Sequence, residues 1–112
     1  MIHIVETTES AEVEFEEQYN YLLERSPQGA NAWAIAFRNA LKKLETNPAS
    51  RPLAPESEYQ AETIHQLVFK TRHGNPYRAL FIIRTDRVYV IHIRGQGQDI
   101  MPPETVQIPK PD

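Results

Sequence analysis

The stretch from Ile64 to Asp99 constrains the fold more than any other part of the chain, because its apolar residues recur at every second position. Strand side chains alternate between two faces, so a period of two reads as a sheet. Gly74-Asn75-Pro76 and Thr85-Asp86 interrupt the alternation with turn-forming residues and divide it into the three strands of an antiparallel meander. One parity collects Leu67, Phe69, Ala79, Phe81, Ile83, Tyr89, Ile91 and Ile93, a continuous apolar surface suited to receiving helices. The other is apolar only in its middle, at Val68, Leu80, Ile82, Val88 and Val90. At one end it turns basic, with Lys70, Arg72, Arg78, His92 and Arg94.

Strand register decides whether those basic residues meet. Setting Phe69 against Phe81 and Phe81 against Ile91 keeps both faces consistent, and it places Arg72 opposite Arg78 and Arg78 opposite Arg94. Like charges directly across a sheet repel, so such a rim makes physical sense when an anion or a carboxylate partner visits it. A one-residue slip at either turn would scatter the cations.

The rest of the chain reads as cover for this sheet. Ile2-His3-Ile4-Val5 is a β-branched run suited to an edge strand. Thr7, Thr8 and Ser10 offer N-cap oxygens ahead of Glu9, Glu12 and Glu14, so a helix is expected from about Ser10, with an apolar stripe of Ala11, Phe15, Tyr19 and Leu22. Ser26-Pro27-Gln28-Gly29 ends it and starts a second helix, whose apolar face is Ala30, Trp33, Ala34, Phe37, Ala40, Leu41 and Leu44 and which stops at Asn47-Pro48. Residues 49–63 show no period and read as a crossing loop in which Leu53 plugs a gap. The tail 100–112 carries four prolines and cannot be helical over its length; it is read as extended and free to fray. The expected fold is α+β, an N-terminal helical hairpin packed on one face of a mainly antiparallel sheet, with one domain over 1–99 followed by the proline-rich tail.

Composition narrows the function. The chain has no cysteine, which excludes disulfides and thiolate chemistry, and no stretch approaches the roughly 20 apolar residues of a membrane span, so a cytoplasmic protein without a membrane partner is expected. A formal charge of −3 argues against affinity built on wrapping a phosphate backbone. The histidines outside the meander's basic end, His3, His65 and His73, share no ligand spacing, and Trp33 and the phenylalanines sit at core spacing, so neither a metal nor a cofactor is expected.

The order strand, helical hairpin, loop, meander, together with the segment PYRALFIIRTDRVYVIHIRG, resembles the RelE/ParE superfamily of toxins from bacterial type II toxin–antitoxin modules. The helical half, with its acidic tyrosine-containing first helix, Ser-Pro turn and a second helix closing on Leu-x-x-x-Pro, is similar to the ParE branch. The resemblance implies a small toxin neutralised by a neighbouring antitoxin whose flexible segment lies across the sheet and helices, as a dimer or a toxin–antitoxin hetero-oligomer. It also implies one of two targets: ParE-like members poison DNA gyrase, and RelE-like members cut mRNA in the ribosomal A site.

Under the nuclease reading, Arg78 holds the phosphate, Lys70 stands with it, and His92, an imidazole able to titrate near neutrality, serves as the acid or base. Under the binding reading, Arg72, Arg78 and Arg94 form the functional rim. Gly95-Gln96-Gly97-Gln98-Asp99 stands where nuclease-type members place further basic residues and later a tyrosine, so the catalytic set is incomplete. Against both stands a plainer reading, in which His92 is a hydrogen-bonded packing residue, Arg78 and Arg94 pair with carboxylates such as Asp99 or Glu104, and the first helix's glutamates are a solvated face. A non-toxic homologue that only binds protein is the remaining alternative.

Overall fold

A computed structural model describes residues 1–95 and 97–111. Strand β1 (Ile4–Thr7) leads into helix α1 (Glu9–Arg25) and helix α2 (Pro27–Lys43); β2 (His65–Phe69), β3 (Tyr77–Arg84) and β4 (Arg87–Arg94) follow the crossing loop. The sheet order is β1-β4-β3-β2, with β1 parallel to β4 and the meander antiparallel. This is the expected α+β architecture.

Local chemistry sets the helix ends. Thr8 is the N-cap of α1, its hydroxyl accepting the Ala11 N–H, and Glu9 and Glu12 put negative charge at the positive end of the helix dipole. Ser26 alone joins the helices: its N–H donates to the Leu22 carbonyl to close α1, while its hydroxyl accepts the Gly29 N–H to open α2. The junction is one residue rather than the four expected, because Pro27, whose missing N–H costs nothing in a first turn, already belongs to α2. Trp33 sits at the centre of the layer between hairpin and sheet, within 5.0–6.3 Å, centroid to centroid, of Phe15, Phe37, Phe69 and Tyr77.

The meander departs from the expected register in two places. β2 and β3 pair Phe69 with Tyr77 and His65 with Phe81, an even shift that preserves the faces but leaves Arg72 beyond the strand, exposed in the turn. Between β3 and β4 the expected register holds at Arg78↔Arg94 and Leu80↔His92, then slips so that Phe81 meets Val90. Ile91 is the extra residue of a β-bulge, and a bulge reverses side-chain parity on one side of itself. Val88 and Val90 therefore face the helices, and Tyr89 and Ile91 face away, the reverse of the simple alternation. The two-residue turn at Thr85-Asp86, with Thr85 at φ 52°, fixes the pairing next to it, and the bulge absorbs the mismatch.

The second face of the sheet is covered by the chain itself. Ala54 and Ile64 from the crossing loop and Met101 and Val106 from the tail close over Leu80, Ile82 and Ile91, with Ile108 half-buried beside them. Gly97, at φ 86°, helps turn the chain back after β4. Arg84 secures the far end of the tail, donating to the carbonyls of Pro109 at 2.6 Å and Lys110 at 3.0 Å while holding Glu62 bidentately. The tail is thus a packed strap, not a frayed end, because the bulge turns Ile91 towards it and leaves an apolar surface to cover. Leu53 does not plug the loop; it stands 60% exposed while the smaller Ala54 is buried.

Candidate functional site

Arg78 and Arg94 are direct cross-strand partners, as the sequence implies, yet each is engaged within the chain. Arg78 forms a fork on Glu56, Nη1 to Oε1 and Nη2 to Oε2 both at 2.8 Å, and Nη1 also donates to Gln66 Oε1 at 3.0 Å. The Glu56 side chain is fully buried, and its Oε2 accepts the Met101 N–H as well. Burial alone would raise the carboxyl's pKa, but the Arg78 hydrogen bonds, helped by the Met101 and Glu56 backbone N–H groups and by the Arg78 charge, outweigh it and lower the pKa from 4.5 to about 2. Arg94 donates to the Asp99 carbonyl at 2.6 Å. The anion that Arg78 calls for is the protein's own Glu56, whereas Arg94 meets a neutral carbonyl.

His92 is 2% exposed and bonded through both ring nitrogens. Its Nδ1 lies 3.0 and 3.1 Å from the two Glu14 carboxylate oxygens, and its Nε2 accepts the Gln107 N–H at 2.9 Å. An Nε2 that accepts places the proton on Nδ1, which donates to Glu14, so the ring ties α1, β4 and the strap together. Lys70 follows β2 and shares a cleft with Lys43 of α2, on the hairpin's side of the edge strand. Tyr77, next to Arg78, has its phenol pushed above the usual value by burial and then by the neighbouring Tyr21. Of the candidates, Arg78, His92 and Arg94 are brought to one end of the second face; Lys70 and Arg72 are not among them.

The open surface is elsewhere. A groove of about 410 Å³ runs along the hairpin, floored by Ala11, Phe15, Ala34, Phe37 and Leu41 and edged by Glu12 and Glu16 on α1 and Arg38 on α2. Its period-3.6 stripe was legible as a core face; that part of it remains uncovered was not.

A family model described as the ParE toxin of type II toxin–antitoxin systems, parDE, matches residues 5–100, from β1 to just past the meander. The chain belongs to the ParE toxin family. A comparison with curated proteins finds no match. Membership implies an antitoxin partner for this ParE-family toxin. No helix among its described residues is long and apolar enough to cross a membrane.

Two residues central to this toxin's buried polar network were invisible as such in the sequence. Glu56 lies in a stretch without period, so nothing marks it as the acceptor for Arg78. Glu14 carried a weak signal: three residues after Ala11 and adjacent to Phe15, it borders the apolar stripe of α1 rather than facing water. Acid should expose the Glu56 contribution. A carboxyl whose folded pKa is depressed stabilises the fold fully above its unfolded value and loses that contribution as pH falls from about 4.5 towards 2, here about 3 kcal/mol. Urea unfolding at a series of pH values should show that slope, and a Glu56→Gln variant should lack it.

Proposed function

We propose that this toxin acts by binding a macromolecular target, DNA gyrase, rather than by cutting RNA, and that its antitoxin docks a helix along the hairpin groove. The observation that carries the reading is the occupancy of two of the three candidate catalytic residues, Arg78 and His92. Metal-independent RNA cleavage needs a cation free to meet the phosphate and an acid or base in reach of it. Arg78 is held by a buried carboxylate and His92 is bonded on both sides, whereas the hairpin groove is apolar, open and edged by charges of both signs. An amphipathic helix with small anchors suits such a surface.

Inducing the toxin alone and following DNA and protein synthesis separately tests the target. DNA synthesis should stop first, with a DNA-damage response. Translation arrest accompanied by cleaved mRNA would instead favour the nuclease, and unaffected growth the non-toxic homologue. Ala34→Arg, which sets a charge into the groove floor, is expected to weaken binding of the antitoxin encoded beside the toxin by about a hundredfold in calorimetry. Unchanged affinity would move the docking surface off the hairpin.

A further inference from the structure

The strap is held differently along its length. At its start the Met101 N–H is bonded to Glu56, a carboxylate that keeps its charge down to a pH of about 2, and at its far end Arg84 grips the carbonyls of Pro109 and Lys110. Between them the Gln107 N–H donates to His92 Nε2 at 2.9 Å. That acceptor is an imidazole lone pair, which ordinarily takes up a proton between about pH 5 and 8. Little else holds the middle of the strap: from Pro102 to Ile108 only Val106 is buried, with Ile108 half-buried.

The groups around the ring decide what a proton does there. Nδ1 faces both Glu14 oxygens at 3.0 and 3.1 Å, and Glu14 is itself fixed by the Ile93 N–H at 2.9 Å. Glu9 and Glu17 of α1 line the same open cleft of about 520 Å³ as His92. The strap presents Met101, Thr105 and Gln107 to that cleft, none of them charged, and its Glu104 is exposed. From β3 the cross-strand partner is the apolar Leu80, with Arg78 two residues away and paired to Glu56; on β4 itself Arg94 is bonded to the Asp99 carbonyl. The α1 carboxylates therefore favour a charged ring, and the closed strap opposes it. An imidazolium carries N–H on both nitrogens, and the one on Nε2 would confront the Gln107 N–H, a second donor.

We propose that the middle of the strap is an acid-released cover: a proton from water taken up at His92 Nε2 displaces the Gln107 N–H, lifts residues 105–108 and bares the ring and Ile91, while Nδ1–H stays on Glu14. The closed form needs Nε2 free of a proton and the lifted form does not, so closure is fully supported above the pH at which the freed ring protonates and is lost as pH falls below it. The cover shares no lining residue with the hairpin groove and depends on neither the target nor the antitoxin.

Amide hydrogen exchange of the full-length toxin, followed by NMR and expressed as protection factors so that the intrinsic pH dependence divides out, tests the cover. From about pH 7.5 to about pH 5.5 the Gln107 amide should lose roughly tenfold in protection while the Met101 amide keeps its own. His92→Gln, whose amide oxygen accepts the same N–H without titrating, should hold Gln107 protected at both. Gln107→Pro, at an exposed position, removes the N–H, and His92 in that variant should titrate about one pH unit higher than in the parent, read from its ring ¹⁵N shifts. Gln107 protection that ignores pH, a parallel loss at Met101, a fall that persists in His92→Gln, or a His92 titration left unmoved by Gln107→Pro each overturns the cover.

Discussion

Arg78→Ala should destabilise the protein by about 3–5 kcal/mol, read as a lowered urea midpoint with an unchanged slope. The loss comes less from the missing attraction than from what remains, since the Glu56 side chain has no solvent exposure and, among the described residues, keeps only backbone N–H donors once the guanidinium is gone. Burial, no longer outweighed, should then push its pKa up, so the variant should lose the acid-induced slope of the parent. Glu56→Gln should cost less than Arg78→Ala, because Arg78 is 21% exposed and can turn to water. Replacing both partners with apolar residues, Arg78→Met with Glu56→Leu, should recover much of the loss. An Arg78→Ala protein of parental stability that no longer poisons cells would assign the arginine to the target instead of the fold. The measurement therefore separates a structural arginine from a functional one.

Trp33→Ala should have a comparable effect, about 3–5 kcal/mol, with a fall in Tm on the order of 20 °C by scanning calorimetry. Trp33 is the common neighbour of rings from both layers, stacked at 5.0 Å on Phe15 and edge-on at 5.3 Å to Tyr77. Deleting the indole opens a void that Phe37 and Phe69, themselves packed 5.5 Å apart, cannot fill without leaving their own partners. Trp33→Phe should cost much less, since a ring remains and the lost N–H has no acceptor among the described residues. Because Phe15 and Phe37 also floor the hairpin groove, Trp33→Ala should weaken antitoxin binding in parallel with stability, whereas Ala34→Arg should weaken binding alone.

The layout of the fold was legible because it rests on local patterns. The period of 3.6 through Trp33, Phe37, Ala40 and Leu44 and the period of 2 through Leu67, Phe69, Ala79 and Phe81 each record which side of an element is buried, and Thr85-Asp86 marks a tight turn. Such signals need no knowledge of a neighbour. The candidate site was legible only in part. Arg78 opposite Arg94 followed from parity, but Arg72 fell out of the set when β2 paired four residues away from the assumed register, and Ile91 reversed the faces of half of β4. Register and bulges depend on how two strands and a turn settle together, and alternation within one strand carries no record of that.

The sequence by itself determined the order of elements, the helical hairpin's apolar face and the pairing of Arg78 with Arg94 at one end of a sheet. Tertiary structure alone decided that Lys70 and Arg72 lie apart from them and that Arg78, His92 and Arg94 are occupied. Glu56 reaches Arg78 from a loop 22 positions away, Gln107 caps His92 from a tail of prolines, and Glu14 crosses from α1 to the same ring. Local propensity is written in neighbouring residues, but the pairing of a buried charge is settled by which distant group can reach it at least desolvation cost, and that is a property of the assembled chain.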